Sequence, residues 1–332
     1  MSISRSDKPV AIIGAGICGA SAARALTDAG VSAVVYEKAA AAGGRASTRL
    51  RSGAHFDHGA QYFTARDARF LRQVQDWQNT GVVARWQPRL VAIDAPRQWR
   101  SSSDEVRWVG TPGMASLATQ LLDRVDVRFE QRVLAVERRG VDWYLRLQDG
   151  TTHGPFSALI CTLPAPQVAQ LLNGEALAET ALRVPFAPCW ALMLEFDQAL
   201  PVEMDAAFVN FGPLSWIARD SSKPGRPAIE RWLAHGGPSY SAAHLEASAE
   251  HISRDLAAAF FDALGVAPCT PRACTVHRWR YALAQPPLQV GALFDAERQI
   301  AVAGDWCHGS RIEGAWLSGL RAAQWLIPKT EE

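Results

Sequence analysis

With 332 residues, 48% of them apolar and 20% charged, the chain has an ordinary globular composition and exceeds what one hydrophobic core usually serves. A formal charge of +1 gives no basic field for nucleic acid and no acidic tail, and no run of eighteen apolar residues is available to span a membrane. In chain order, the polar opening MSISRSDKP fits neither a secretory signal nor a transit peptide, so a cytoplasmic location is expected. Val10 to Ile13 then reads as an apolar strand. It runs into Gly14, Gly16 and Gly19, an Ala-rich helix from about Ile17 to Ala29, a second apolar run and Glu37.

The spacing of these glycines carries a physical reading. Gly14 permits a tight turn, Gly16 lets backbone N–H groups approach a pyrophosphate, and Gly19 allows close packing of helix on sheet. The helix aims its positive end at the phosphates. A carboxylate at Glu37 suits the two ribose hydroxyls of an adenosine and disfavours a 2′-phosphate.

Next, Gly43-Gly44 followed by Arg45 reads as a second close backbone approach with a cation beside it. HGAQYF, residues 58–63, repeats the theme; it fits either a ligand contact or a buried turn with core aromatics. Asp67 to Gln78 has helical period with Trp77 inward, and Gly81 to Ser103 reads as irregular or short-stranded. Thr111-Pro112-Gly113 reads as a helix start ahead of Met114 to Leu122. The runs VDVRFE, QRVLAVERR, DWYLRLQDGTTHG and FSALICTLP read as strands, with a hairpin at QDGT.

ALICTLP, residues 158–164, is where a discontinuous nucleotide-binding domain returns to its own sheet. From Gln167 to about Gln289 the texture changes, with tryptophans at 190, 216, 232 and 279 and a helix from about Ala242 to Leu264. The chain then offers a buried strand at Ile300 to Ala303, a Gly304-Asp305 turn and an amphipathic helix from Ile312 to Ile327. Cys18, Cys161, Cys189, Cys269, Cys274 and Cys307 form no CxxC pair and read as small buried apolar groups; no metal site is expected.

Three glycine-bearing sites and a return strand at Leu159 to Pro164 span a ligand longer than NAD. FAD fits best, with adenosine on Glu37, pyrophosphate between Gly16 and Arg45, the ribityl chain near Asp305 and the isoalloxazine toward the domain boundary. The expected fold class is α/β. A Rossmann-like FAD-binding domain comprises 1–66, 105–166 and 290–332, and a discontinuous α+β substrate domain comprises 67–104 and 167–289.

Taken together, AIIGAGICGASAARAL, GGRASTR, FDHGAQYFTARDARF, VRWVGTPGMASL, ICTLPAPQ, HRWRYA and GDWCHGSRIEGAWLSG resemble the renalases. The resemblance is closest to their bacterial form, within the FAD-dependent amine oxidase superfamily, and runs over nearly the whole chain. It implies a glutathione reductase/p-hydroxybenzoate hydroxylase-like fold of amine oxidase type. It also implies non-covalent FAD, oxidation of the 2- and 6-dihydro isomers of NAD(P) as small-molecule substrates, and transfer of the electrons to O2 to give hydrogen peroxide.

By the same resemblance Gly14, Gly16, Ile17, Gly19, Glu37, Lys38, Arg45, Ala60, Gln61, Val133, Gly304 and Asp305 contact FAD. Tyr62, Phe63, Thr64, Ala65 and Arg66 contact substrate, joined by Ser101, Tyr281 and Arg311. Because oxidation yields an aromatic pyridinium, no general base is required, and Tyr62, Phe63 and Arg66 are expected to act by positioning. Three rival readings stand beside this one. The first is an amine oxidase or a carotenoid- or porphyrinogen-type dehydrogenase on the same fold. The others are a flavin-binding protein without turnover and a nicotinamide dehydrogenase without flavin.

Overall fold

The structure, a computed structural model, describes residues 8–51, 54–96, 98–101 and 105–328, so the opening segment and Ser102-Ser103 of the sequence reading lie outside the described residues. Strand β1 (Val10–Ile13) is buried along its whole length and therefore needs apolar cover on both faces. After it come α1 (Ile17–Asp28), β2 (Ala33–Tyr36), the hairpin β3 (Thr48–Arg51) and β4 (Ala54–Asp57), and α2 (Ala68–Asn79). β5 (Val83–Trp86), β6 (Leu90–Ala95), β7 (Gln98–Ser101), β8 (Arg107–Gly110) and α3 (Ser116–Leu121) follow.

The middle of the chain holds β9 (Asp126–Arg128), β10 (Val133–Arg139), β11 (Asp142–Leu147), β12 (Thr152–Phe156), β13 (Ala158–Cys161), α4 (Ala165–Leu171) and α5 (Ala176–Leu182). Then come β14 (Phe186–Phe196), β15 (Ala206–Val209), β16 (Leu214–Arg219), β17 (Glu230–Gly236), α6 (Pro238–Ala243) and α7 (Ala249–Leu264). The chain closes with β18 (Ala273–Ala284), β19 (Leu293–Asp295), β20 (Ile300–Val302) and α8 (Ile312–Leu326).

Among the described residues one sheet has the order β19-β20-β13-β1-β2-β9, parallel except for β19. Val10 faces Ala158, and Leu159 faces Ile300, so the return strand read from ALICTLP lies beside β1. Alternation along β1 divides its side chains between two cores. Val10 and Ile12 pack with α1 and α8, whereas Ala11 and Ile13 pack with Trp143, Leu145, Val168 and Ala181 from β11, α4 and α5. Helices α1 and α8 approach closely because position 319 is glycine: a Cβ there would stand 2.1 Å from the Cys18 carbonyl oxygen.

A second sheet runs β18-β14-β17-β16-β15-β6-β7 among the described residues. Helix α7 covers one face with Ile252, Leu256 and Phe260 against Leu192, Ile217 and Trp232. The other face, through Ala191, Met193, Trp216 and Leu233, shares a continuous core with the first sheet. The candidate segment of residues 60–65 described below packs against this shared core.

Four differences from the sequence reading have physical causes. The expected helix Ala242–Leu264 is two helices, because Ser248 caps α7 by accepting the His251 N–H and the chain turns between 244 and 248. The helix expected from Met114 begins at Ser116, since the Gly113 and Met114 carbonyls accept from Ser116 and Leu117 in tighter three-residue turns and the α-helical bonding opens with the Thr119 N–H on the Ala115 carbonyl. Segment 67–104 divides: β6 and β7 join the second sheet, while Phe70 and Trp77 of α2 enter the core with Trp316 of α8. Cys18, Cys161 and Cys307 are buried, but Cys269 and Cys274 are exposed, on a strand edge and its approach. No helix among the described residues is long and apolar enough to cross a membrane.

Candidate functional site

The first glycine turn is built for a ligand. Gly14 has φ 106°, a conformation that favours glycine, and a Cβ at Gly19 would fall 1.9 Å from the Gly14 carbonyl oxygen. A Cβ at Gly16, by contrast, would meet nothing within 4 Å, and Gly16 forms a parallel bridge with Gly43 of the second turn. The two turns therefore meet backbone to backbone, the Gly43 N–H donating to the Ala15 carbonyl at 2.9 Å, while the side of Gly16 that a Cβ would occupy stays open. Ile17 opens α1 here and is buried. This cradle fits a diphosphate at the positive end of a twelve-residue helix.

Glu37 follows β2 and is 8% exposed. Its Oε2 accepts the Ala15 N–H at 2.9 Å and its Oε1 the Ala39 N–H at 2.8 Å, which leaves each oxygen a further lone pair for a ribose hydroxyl. Lys38 is exposed beside it. The Gln131 N–H donates to the Glu37 carbonyl, bringing the start of β10, and with it Val133, to this end of the site.

At the other end Arg45 and Asp305 form a two-pronged pair, with Nη2–Oδ1 at 2.6 Å and Nη1–Oδ2 at 3.1 Å. Arg45 Nη1 also donates to the Ala282 carbonyl at 3.2 Å, and Tyr281 beside it stands edge-on to Phe186. The cation expected near the pyrophosphate and the carboxylate expected near the ribityl chain thus meet directly. Gly304 donates its N–H to Ser318 Oγ at 2.9 Å, which ties this turn to α8.

Residues 58–66 extend from this pair toward the second sheet. The Ala60 N–H donates to the Arg45 carbonyl at 2.9 Å, and Phe63 exchanges backbone hydrogen bonds with Trp108 at 2.9 and 2.8 Å. Tyr62 is half-buried, its ring 5.5 Å from that of Trp216 and 6.2 Å from that of Trp86, with the Arg107 guanidinium 5.4 Å from its centroid. Thr64 and Ala65 are half-buried, and Arg66 is exposed and paired with Glu105.

Phe63 departs from expectation. It is 4% exposed and packs against Phe70 and Trp77, because extended backbone sends neighbouring side chains to opposite faces. Nor does the structure bring Ser101 into this cluster; Ser101 ends the exposed outer strand β7 of the second sheet. Arg311 is exposed at the N-terminus of α8.

Two groups escaped the sequence reading. Asp57 is fully buried and accepts from Thr48 Oγ1 at 2.8 Å, from the Met114 N–H at 2.9 Å and from Arg226, with Lys223 Nζ at 3.4 Å. Lys223 is buried too, 2.7 Å from Asp220 Oδ1 and 3.2 Å from Gln61 Oε1. Burial alone would raise the Asp57 pKa, but Lys223, Arg226 and the Met114 N–H outweigh it and hold the carboxyl below its usual value. At Asp220 burial outweighs Lys223 and the carboxyl is raised.

The second group comprises His58, His235, His277 and Trp279. The His58 ring stacks on Trp279 at 4.8 Å, His277 stands edge-on to both, and Trp279 Nε1 donates to the His58 carbonyl at 2.9 Å. Burial first, then His277 and Arg49, push His58 down to about 3. Burial likewise brings His235 and His277 to about 4. All three rings are neutral around pH 7.

Against known families, residues 89–327 match the family described as flavin containing amine oxidoreductase, and residues 12–76 match the NAD(P)-binding Rossmann-like domain. Among solved structures, a protein named as a protoporphyrinogen oxidase from Exiguobacterium sp. 255-15 superposes with a TM-score of 0.76 at 15% identity, over 98% of this chain and 99% of that one. A putrescine oxidase bound to putrescine superposes with a TM-score of 0.73 at 12% identity, over 96% and 99%. At such identities the likeness establishes a common fold.

Proposed function

Since the chain belongs to the flavin containing amine oxidoreductase family and takes FAD as its cofactor, we propose that it is a dihydronicotinamide oxidase of renalase type. In this reading it oxidises the 2- and 6-dihydro isomers of NAD(P) to NAD(P)+. FAD, bound non-covalently by the residues assigned next, would supply the hydride acceptor, with O2 as the final two-electron acceptor and hydrogen peroxide as its product. The adenosine end is assigned to Glu37 with Lys38 and Val133, the pyrophosphate to Gly14, Gly16, Ile17, Gly19 and Arg45, the ribityl chain to Gly304 and Asp305, and the flavin edge to Ala60 and Gln61.

One observation carries the choice of substrate. Arg107 lies over the ring of Tyr62, in a wall completed by Trp86 and Trp216. A cage for a protonated amine needs free aromatic faces, since a cation is held by the ring quadrupole. Here a guanidinium takes that place, so the Tyr62 face is not open to an ammonium, and a flat, uncharged ring stacking along the wall fits better. Tyr62, Thr64, Ala65 and Arg66 are assigned to substrate, with Tyr281 and Arg311 beside them. Their task is to hold the ring and exclude water. No proton has to be removed, because the product ring is aromatic.

The test is anaerobic mixing of the yellow holoprotein with each isomer while the flavin absorbance is followed. Rapid bleaching by 2- or 6-dihydro-NAD(P), much slower bleaching by ordinary 4-dihydro-NAD(P)H and none by putrescine is expected. Bleaching by a primary amine with the isomers inert would replace this reading with amine oxidation.

A further inference from the structure

Hydrogen bonds to other elements fasten the segment that carries Tyr62, among the described residues, at Ala60, Gln61, Phe63 and its far end, apart from the exposed pair of Arg66 with Glu105. Ala60 is held by the Arg45 carbonyl, Gln61 by Lys223 and Phe63 by Trp108, all in its first half. The fourth tie is one side chain: Glu313 Oε1 accepts the Arg66 N–H at 2.6 Å and the Asp67 N–H at 2.8 Å. These two donors lie ahead of α2, so the helix has no acceptor for them.

Glu313 stands in the first turn of α8, where the positive helix end favours a carboxylate. That helix begins directly after the turn carrying Asp305 and Arg311. The carboxylate therefore spans from the turn assigned to the ribityl chain to the far end of the segment assigned to substrate. Without it, among the described residues, the 64–66 run keeps the packing of Ala65 on the core and the solvent-facing pair of Arg66 with Glu105, and such exposed pairs hold little.

We propose that Glu313 is a positioning residue: it holds the Tyr62–Arg66 run in register with the Asp305–Arg311 turn. As far as substrate is concerned, the proposal rests on the function given above; the tie itself does not. Holoenzymes carrying Glu313→Ala and Glu313→Gln test it, since the glutamine oxygen still accepts both N–H groups and alanine accepts neither.

In Glu313→Ala, FAD content and the thermal midpoint stay near wild type, and KM for 6-dihydro-NAD rises about tenfold while kcat changes by less than about threefold. Native trypsin cuts after Arg66 about tenfold faster, as the segment opens locally. Glu313→Gln restores most of both. Unchanged KM and unchanged proteolysis in Glu313→Ala overturn the proposal. So does a joint loss of FAD, thermal midpoint and KM that glutamine fails to restore. If no dihydronicotinamide isomer reduces the flavin, the function given above falls alone, and the tryptic pattern of the two variants still decides the role of Glu313.

Discussion

Gly16→Ala and Gly19→Ala pull apart the two tasks of the first glycine turn. At Gly16 the backbone angles, φ −74° and ψ 179°, suit any residue, and an added Cβ meets nothing within 4 Å. Alanine there should leave the flavin-free protein as stable as wild type, or about 0.4–1 kcal/mol more stable through the restricted unfolded chain. The same methyl occupies the open side of the turn where the diphosphate is proposed to sit, so it keeps phosphate oxygens from the N–H groups. Losing a hydrogen bond to a charged group costs about 1.5–3 kcal/mol, or roughly a ten- to hundred-fold rise in the FAD dissociation constant. At Gly19 the added Cβ falls 1.9 Å from the Gly14 carbonyl oxygen and 2.9 Å from Thr162 Oγ1, so backbone must move. That overpacking should cost about 1–3 kcal/mol in the flavin-free protein itself. Thermal unfolding of deflavoprotein and titration with FAD, read by flavin fluorescence, measure the two quantities separately. A Gly16→Ala protein that binds FAD as wild type does, or that is destabilised without it, refutes the reasoning.

Asp57→Asn preserves shape but takes the carboxylate partner from buried Arg226 and leaves buried Lys223 with Asp220 as the one ion-pair partner among the described residues, so stability should fall by about 3–5 kcal/mol. A urea midpoint that hardly moves would show that the network bears little of the fold. Acid should also weaken the protein: the unfolded chain protonates His58, His235 and His277 near their usual 6.5, the native protein only at about 3 to 4. Unfolding therefore takes up protons over that window, stability is lost as pH falls through it, and the thermal midpoint should drop from pH 7 to pH 5. His277→Gln should flatten that slope by about one proton; a midpoint independent of pH would contradict the assignment.

The dinucleotide half of the molecule was legible because its signals are local. Val10–Ile13 reads as a buried strand, Gly14, Gly16 and Gly19 as a turn under a helix, and Glu37 as the acid closing the next strand. Gly304 and Asp305 repeat that grammar at the end of the chain. Tyr62 and Phe63 carried no such signal, since two adjacent aromatics look alike until extended backbone sends one toward Trp216 and the other into the core. Lys223 was invisible for a different reason: a lysine in SSKPGR has the composition of a solvated turn, and the partners that bury it, Asp57 and Gln61, lie far away in the chain. Glu313 stood within a recognised motif, but its hydrogen bonds reach a segment some 250 residues earlier. The break between α6 and α7 hid inside an alanine-rich stretch whose helical period runs on past it.

The placement of β20 between β13 and β19 bears on the order of events during synthesis. Strand β1 emerges first from the ribosome, β13 only after residue 158, and β20 with Asp305 and α8 in the last tenth of the chain. Parallel pairing of such distant segments is slow, and apolar surface stays uncovered while the chain waits for its partners. On the assignment of Asp305 to FAD proposed above, capture of the flavin waits until translation is nearly complete. On the same assignment, a nascent or prematurely stopped chain has the glycine turn but lacks Asp305, so the yellow colour of the purified protein reports finished molecules.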